Sequence, residues 1–136
     1  MQIKYPMKNL FLLITLFITT ATFAQEQEPV FAIVDKMPAF PGGDEMMVEY
    51  FQANIQYPKG VTLEGRNTCY ITMVVEKDGS LSGIKVIRSA PGGPAFDAEA
   101  LRVVAAMPKW LPGSHKGELR RVQYNLPIKF VNNNPK

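Results

Sequence analysis

The residue types that do chemistry are scarce in this chain, and they are scattered. Its one histidine, His115, lies in "GSHKG", a Gly-, Ser- and Lys-bearing run that reads as a surface loop. Its one cysteine, Cys69, stands in "CYITMVV", a strand-like run where a thiol serves as a small core hydrophobe. Metal ligation needs several converging His, Cys or carboxylate ligands, and one His with one Cys make no such set. "PGGPAF" (91–96) is glycine-rich, yet it has neither the Lys-Ser/Thr ending of a phosphate loop nor GxGxxG spacing. Asp44, Glu45 and Glu49 gather on one stretch that reads as the solvated face of a helix. An enzyme needs a nucleophile, a tuned acid–base pair, a metal set or a cofactor loop. The expectation is therefore a non-catalytic chain with no cofactor and no metal, whose work is binding.

The ends of the chain narrow the setting. Lys4 and Lys8 precede the apolar run "LFLLITLFI" (10–18), and "TFA" (22–24) ends in a small residue. Residues 1–24 thus read as a secretory signal peptide cut between Ala24 and Gln25. An uncleaved membrane anchor is the lesser alternative, because a spanning helix needs about 20 apolar residues. Without the two lysines of that segment, 13 of the 15 basic residues face 12 acids. A nearly neutral domain has no electrostatic reason to hold nucleic acid. A lone cysteine forms no internal disulfide in an oxidising compartment, so an apolar core must hold the fold.

Several local signals position the rest. "QEQEP" (25–29) is a short polar lead, and "VFAIV" (30–34) is a brief apolar run able to form a short strand. A helix is expected from Asp44, as N-cap, to Asn54, with Met47, Phe51 and Ile55 recurring at i, i+4 and i+8 beside Val48. Strands are expected over 69–76 and 81–88, joined through "KDGS", where Asp-Gly suits a tight hairpin. A second helix over about 96–107 places Phe96, Ala100, Val103, Val104 and Met107 on one face. In 119–130, Val122, Tyr124, Leu126, Ile128 and Phe130 alternate with Arg121, Gln123, Asn125, Pro127 and Lys129, the period of a half-buried strand. Residues 132–136 read as a disordered tail. The fold expected is α+β: two helices packed on one face of a small, mainly antiparallel three-stranded sheet.

Two features point to how such a domain binds. Pro127 has no N–H, so it is tolerated at a sheet border and rarely in a sheet centre. A long final strand at a border offers main-chain groups to another chain. The second feature is an echo: "MPAFPGG" (37–43) against "MPKWLPG" (107–113). Phe40, Pro41 and Gly42, with Pro108, Trp110, Pro112 and Gly113, read as structural corners. The first fixes the start of helix one and the second the exit from helix two, each folding its aromatic ring inward.

Taken together, "FPGGDEMMVEYFQANIQYP", "MVVEKDGSLSGIKVIRS", "FDAEALRVVAAMPKWLPG" and "VQYNLPIKF" resemble, in order, the TonB C-terminal domain in the form common among Bacteroidetes-type bacteria. The likeness spans about residues 30–131. It implies a periplasmic domain that takes the TonB box of an outer-membrane receptor as an added strand. By position, the partner-strand edge would be Arg121, Val122, Gln123, Tyr124, Asn125, Leu126, Pro127 and Ile128. Family energy transducers also carry a membrane helix, which meets inner-membrane motor proteins, and a Pro-rich spacer. Here the leader looks cleavable and the lead is short, so motor partners are expected only if the N-terminus stays in the membrane. Many relatives place a glycine just before the first hairpin strand; here Asn67 is expected to supply the left-handed backbone angle. A self-associating or envelope-binding protein, using the same edge to form a homodimer, is the alternative reading.

Overall fold

The structure is a computed structural model that describes residues 26–61 and 67–132. The expected signal segment, most of the tail and residues 62–66 lie outside the described residues. In chain order the elements are β1 (Val30–Phe31), α1 (Asp44–Asn54), β2 (Asn67–Val75), β3 (Leu81–Arg88), α2 (Pro94–Ala105), β4 (Ser114–His115), β5 (Glu118–Leu119) and β6 (Arg121–Phe130).

The main sheet has four strands in the order β1-β6-β2-β3, with β1 parallel to β6 and the other pairs antiparallel. A separate two-stranded hairpin joins β4 to β5. The three-stranded sheet expected from sequence is thus corrected to a mixed four-stranded one. The extra strand is only two residues long, too short for any period to reveal, and the turn at Lys116 (φ 52°) uses a residue with no intrinsic preference for that angle.

Period two along the two central strands builds the core. Cys69, Ile71, Met73 and Val75 of β2 and Val122, Leu126, Ile128 and Phe130 of β6 turn to one face and are almost fully buried. Phe96, Ala100, Val103 and Val104 of α2 close over that face. Phe96 meets Phe130 edge-on at 5.0 Å and Tyr57 at 5.2 Å. Helix α2 begins two residues earlier than expected because Pro94 sits in its first turn, where a missing N–H costs nothing. Asp44 likewise is the first residue of α1 rather than its cap; Gly43 holds the cap position, with no side-chain hydrogen bond. Asn67 opens β2 and is buried; its φ is not positive, so the expected left-handed angle is absent there.

The Cys69 thiol is pushed up to about 12, by burial first and then by the Asp97 carboxylate beside it. Burial pushes the Asp97 carboxyl up, but hydrogen bonds from Ser89, the Ala90 N–H and the thiol outweigh it and hold it below the usual range. A thiol in this state offers almost no thiolate at neutral pH. Aromatic disulfide reagents at pH 8 should leave Cys69 unmodified in the folded chain and titrate one thiol in denaturant. Fast modification of the native chain would contradict the burial.

Candidate functional site

The two echoing segments lie against each other. Ala39 and Leu111 exchange main-chain hydrogen bonds (3.1 and 2.8 Å), and so do Lys36 and Ser114 (3.0 and 2.9 Å). This antiparallel contact brings Phe40 and Trp110 together, edge to face at 5.9 Å, both buried. Trp110 continues to Tyr124 of β6 at 5.1 Å, so the corners brace the strand from beneath. Pro41 and Gly42 turn the chain into α1, and the exposed Pro108 follows the end of α2. Beyond the half-buried Pro112, Gly113 is packed too tightly for a side chain: a Cβ there would lie 2.8 Å from Val122 Cγ2 and 3.0 Å from the Lys36 carbonyl oxygen.

Helix α1 hangs on α2 by polar contacts. The Tyr50 hydroxyl donates to the Val103 carbonyl (2.8 Å), Arg102 donates to the Asn54 carbonyl (2.8 Å), and the Gln56 N–H donates to Glu99 (2.8 Å). None of its residues is fully buried. Its apolar stripe of Met47, Phe51 and Ile55 packs against the margin of the core but stays half-buried. It faces β6 across a groove of about 990 Å³, whose opposite wall includes Tyr124, Leu126 and Pro127. Asp44, Lys59 and Lys129 line it as well. Burial first, then the Asp44 charge, raises the Tyr124 phenol, so that ring stays neutral.

The strand beside the groove is paired on its inner side along nearly its whole length, from Val75↔Val122 to Asn67↔Phe130. On its outer side only Arg121 and Val122 have a strand partner, β1. Two of the eight residues expected on the open edge are therefore occupied. From Gln123 to Phe130, among the described residues, β2 is the sole strand neighbour. Val122, Leu126 and Ile128 point into the core, while Gln123, Asn125 and Pro127 are exposed.

Arg121 does more than lie on the border. Its Nε and Nη2 donate to the two Glu76 oxygens (2.7 and 3.0 Å), and its Nη1 donates to the Glu28 carbonyl (2.7 Å). It thereby ties β6 to the end of β2 and to the chain entering β1. Sequence reading missed Glu76; it lies 45 positions from Arg121, and no local pattern links them. The Arg121 guanidinium holds the Glu76 carboxyl below the usual carboxylate range, aided by Ser82. A carboxyl with a depressed folded value stabilises the fold fully above the unfolded value of about 4.3 and loses that contribution as pH falls through the lower one. Glu76→Gln should cost about 1 kcal/mol at pH 7, in a denaturant titration, with the gap closing in acid. A gap unchanged at about pH 2 would contradict the pairing.

His115 lies in the β4–β5 hairpin, beside Phe31 and near Asp35, away from the groove lining. No group of three or more potential metal ligands occurs among the described residues, and no helix among them is long and apolar enough to cross a membrane.

Fold and groove together define a small α+β domain with a partly unpaired strand border beside an open groove. The chain belongs to the family described as Gram-negative bacterial TonB protein C-terminal, whose model matches residues 53–131. That family is one of protein-interaction domains linked to transport in the cell envelope. No curated protein and no solved structure matches the chain.

Proposed function

We propose that this chain is a periplasmic TonB-type binding module. It captures the TonB-box segment of an outer-membrane receptor by strand addition along β6, in support of energy-dependent transport. The observation that carries the reading is the single-sided pairing of Gln123–Phe130 beside an open groove. An added strand lies about 4.8 Å away and needs unpaired main-chain groups together with room for alternate side chains. The border supplies the first and the groove the second.

Pro127 indicates which main-chain groups are on offer. It stands opposite Tyr70 in the ladder, and within an antiparallel pair a residue turns its N–H and C=O to the same side. A proline directed at β2 would leave a ladder acceptor without its donor; directed outward, it costs the fold nothing. Gln123, Asn125, Pro127 and Lys129 then present their main chain to a visitor, with donors at all but Pro127. The opposite border, β3, is less suited. Its pairing with β2 shifts register twice, and Lys85 and Arg88 stand exposed on it, devices that discourage strand addition.

Receptor-segment peptides carrying N-methyl groups at alternate positions test this directly. Methylation in one phase should abolish binding, because those amides face β6, and methylation in the other should leave it within about twofold. Equal tolerance of both phases would refute capture by main-chain pairing.

A further inference from the structure

Residues 28–39 form a strap that precedes the family-matched region and reaches the same border of β6. Its two halves are held unequally. Downstream, the reciprocal hydrogen bonds of Lys36 with Ser114 and of Ala39 with Leu111 fix it to the second corner, and Val34 is buried. Upstream, β1 meets β6 over only Val30↔Arg121 and Phe31↔Val122. Val30 is 41% exposed and Phe31 only half-buried, its ring 5.4 Å beneath the Arg120 guanidinium. The remaining hold is the tilted contact of the Phe31 ring with His115, the Arg121 bond to the Glu28 carbonyl, and a Glu28–Lys77 ion pair between exposed side chains, a kind of pair worth little. Between the halves, Ile33 is 84% exposed, so little packing resists a bend there.

Building on the reading that β6 captures an extended segment, we propose that β1 is a resident strand on the capture border. A visitor that pairs along the whole of β6 displaces it. Both strands need the outward main chain at Arg121, and only one can have it. Peeling β1 back as far as the exposed Ile33 removes no buried side chain, and it leaves Val34, the Arg121–Glu76 pair and both corners in place. The free run then grows from Gln123–Phe130 to Arg121–Phe130. A site whose competent form is only fractionally open binds more weakly by that fraction, so β1 lowers the affinity for long segments. Segments short enough to end at Gln123 escape the penalty. Local opening free energy is lowest where buried contacts are fewest, which singles out β1 within this sheet.

The test uses the exported chain, two variants that leave β6 untouched, and synthetic receptor-segment peptides of ten and six residues. Phe31→Ala removes the ring under Arg120, and Phe31→Pro also removes the main-chain donor that β1 directs at the outward Arg121 carbonyl. Both variants should bind the ten-residue peptide about 3- to 10-fold more tightly than the parent chain. The six-residue peptide should bind all three alike. In the parent chain, the Phe31 amide should lose hydrogen-exchange protection when the long peptide saturates. Equal affinity of all three chains for the long peptide, with the Phe31 amide still protected, overturns the proposal and leaves capture standing. No binding of either peptide to any of the three overturns capture itself, and the proposal with it.

Discussion

Replacing Gly79 by alanine should destabilise the domain by about 3 kcal/mol or more, the largest effect expected of any single methyl group here. Gly79 ends the β2–β3 turn at φ 84°, and a Cβ on it would lie 2.1 Å from the Trp110 carbonyl oxygen. That oxygen is main chain and cannot swing aside. It is also held from behind, because the Trp110 N–H donates to the Gly79 carbonyl at 2.8 Å. Relief requires the turn and the second corner to part, and with them the rings of Trp110, Phe40 and Tyr124. The left-handed angle adds about 1 kcal/mol by itself. Gly93→Ala is the control: φ is 88°, but nothing lies within 4 Å of its Cβ position, so only the conformational cost applies. Thermal melts should fall by roughly 12–20 °C for Gly79→Ala, and by a few degrees for Gly93→Ala. Similar shifts in the two variants would show that the turn does not rest on Trp110.

The second large effect concerns binding. Asn125→Pro should weaken capture of a receptor segment by about 10- to 30-fold while the chain remains folded. Asn125 is exposed, stands opposite Thr72, and lies two residues before a proline the strand already accommodates. The substitution deletes one outward donor, worth about 1 kcal/mol, and sets a pyrrolidine ring where the visitor's main chain would lie. Asn125→Ala should stay within about twofold of the parent, since the contact is main chain rather than side chain. A folded Asn125→Pro chain with unchanged affinity would place the visitor elsewhere.

Period two made β6 and β2 legible in the sequence, and the Asp-Gly turn marked their hairpin neighbour. These signals are local, and burial of one face enforces them. The short strand β1 was not legible as part of the sheet. Its two residues gain their place from Arg121, Arg120 and the strap's downstream anchors, all distant in sequence. The echo of the two Pro-aromatic corners was visible, but not that Ala39 and Leu111 bond to each other, since nothing in either segment specifies the other's register. Met47 and Phe51 illustrate a different limit. Their helical spacing identifies an apolar stripe, yet not that the stripe, packed on the margin of the core, also lines a groove. Glu76 had no signal at all; its role exists only once β2 and β6 stand side by side.

Amide hydrogen exchange across β6, with and without a saturating receptor segment, tests the central claim most directly. The Asn125 and Lys129 amides should slow by about tenfold or more when the segment is added, while those of Lys85 and Ile87 on β3 stay unchanged. Saturation that leaves both β6 amides as they were, or that protects β3 instead, would contradict the account.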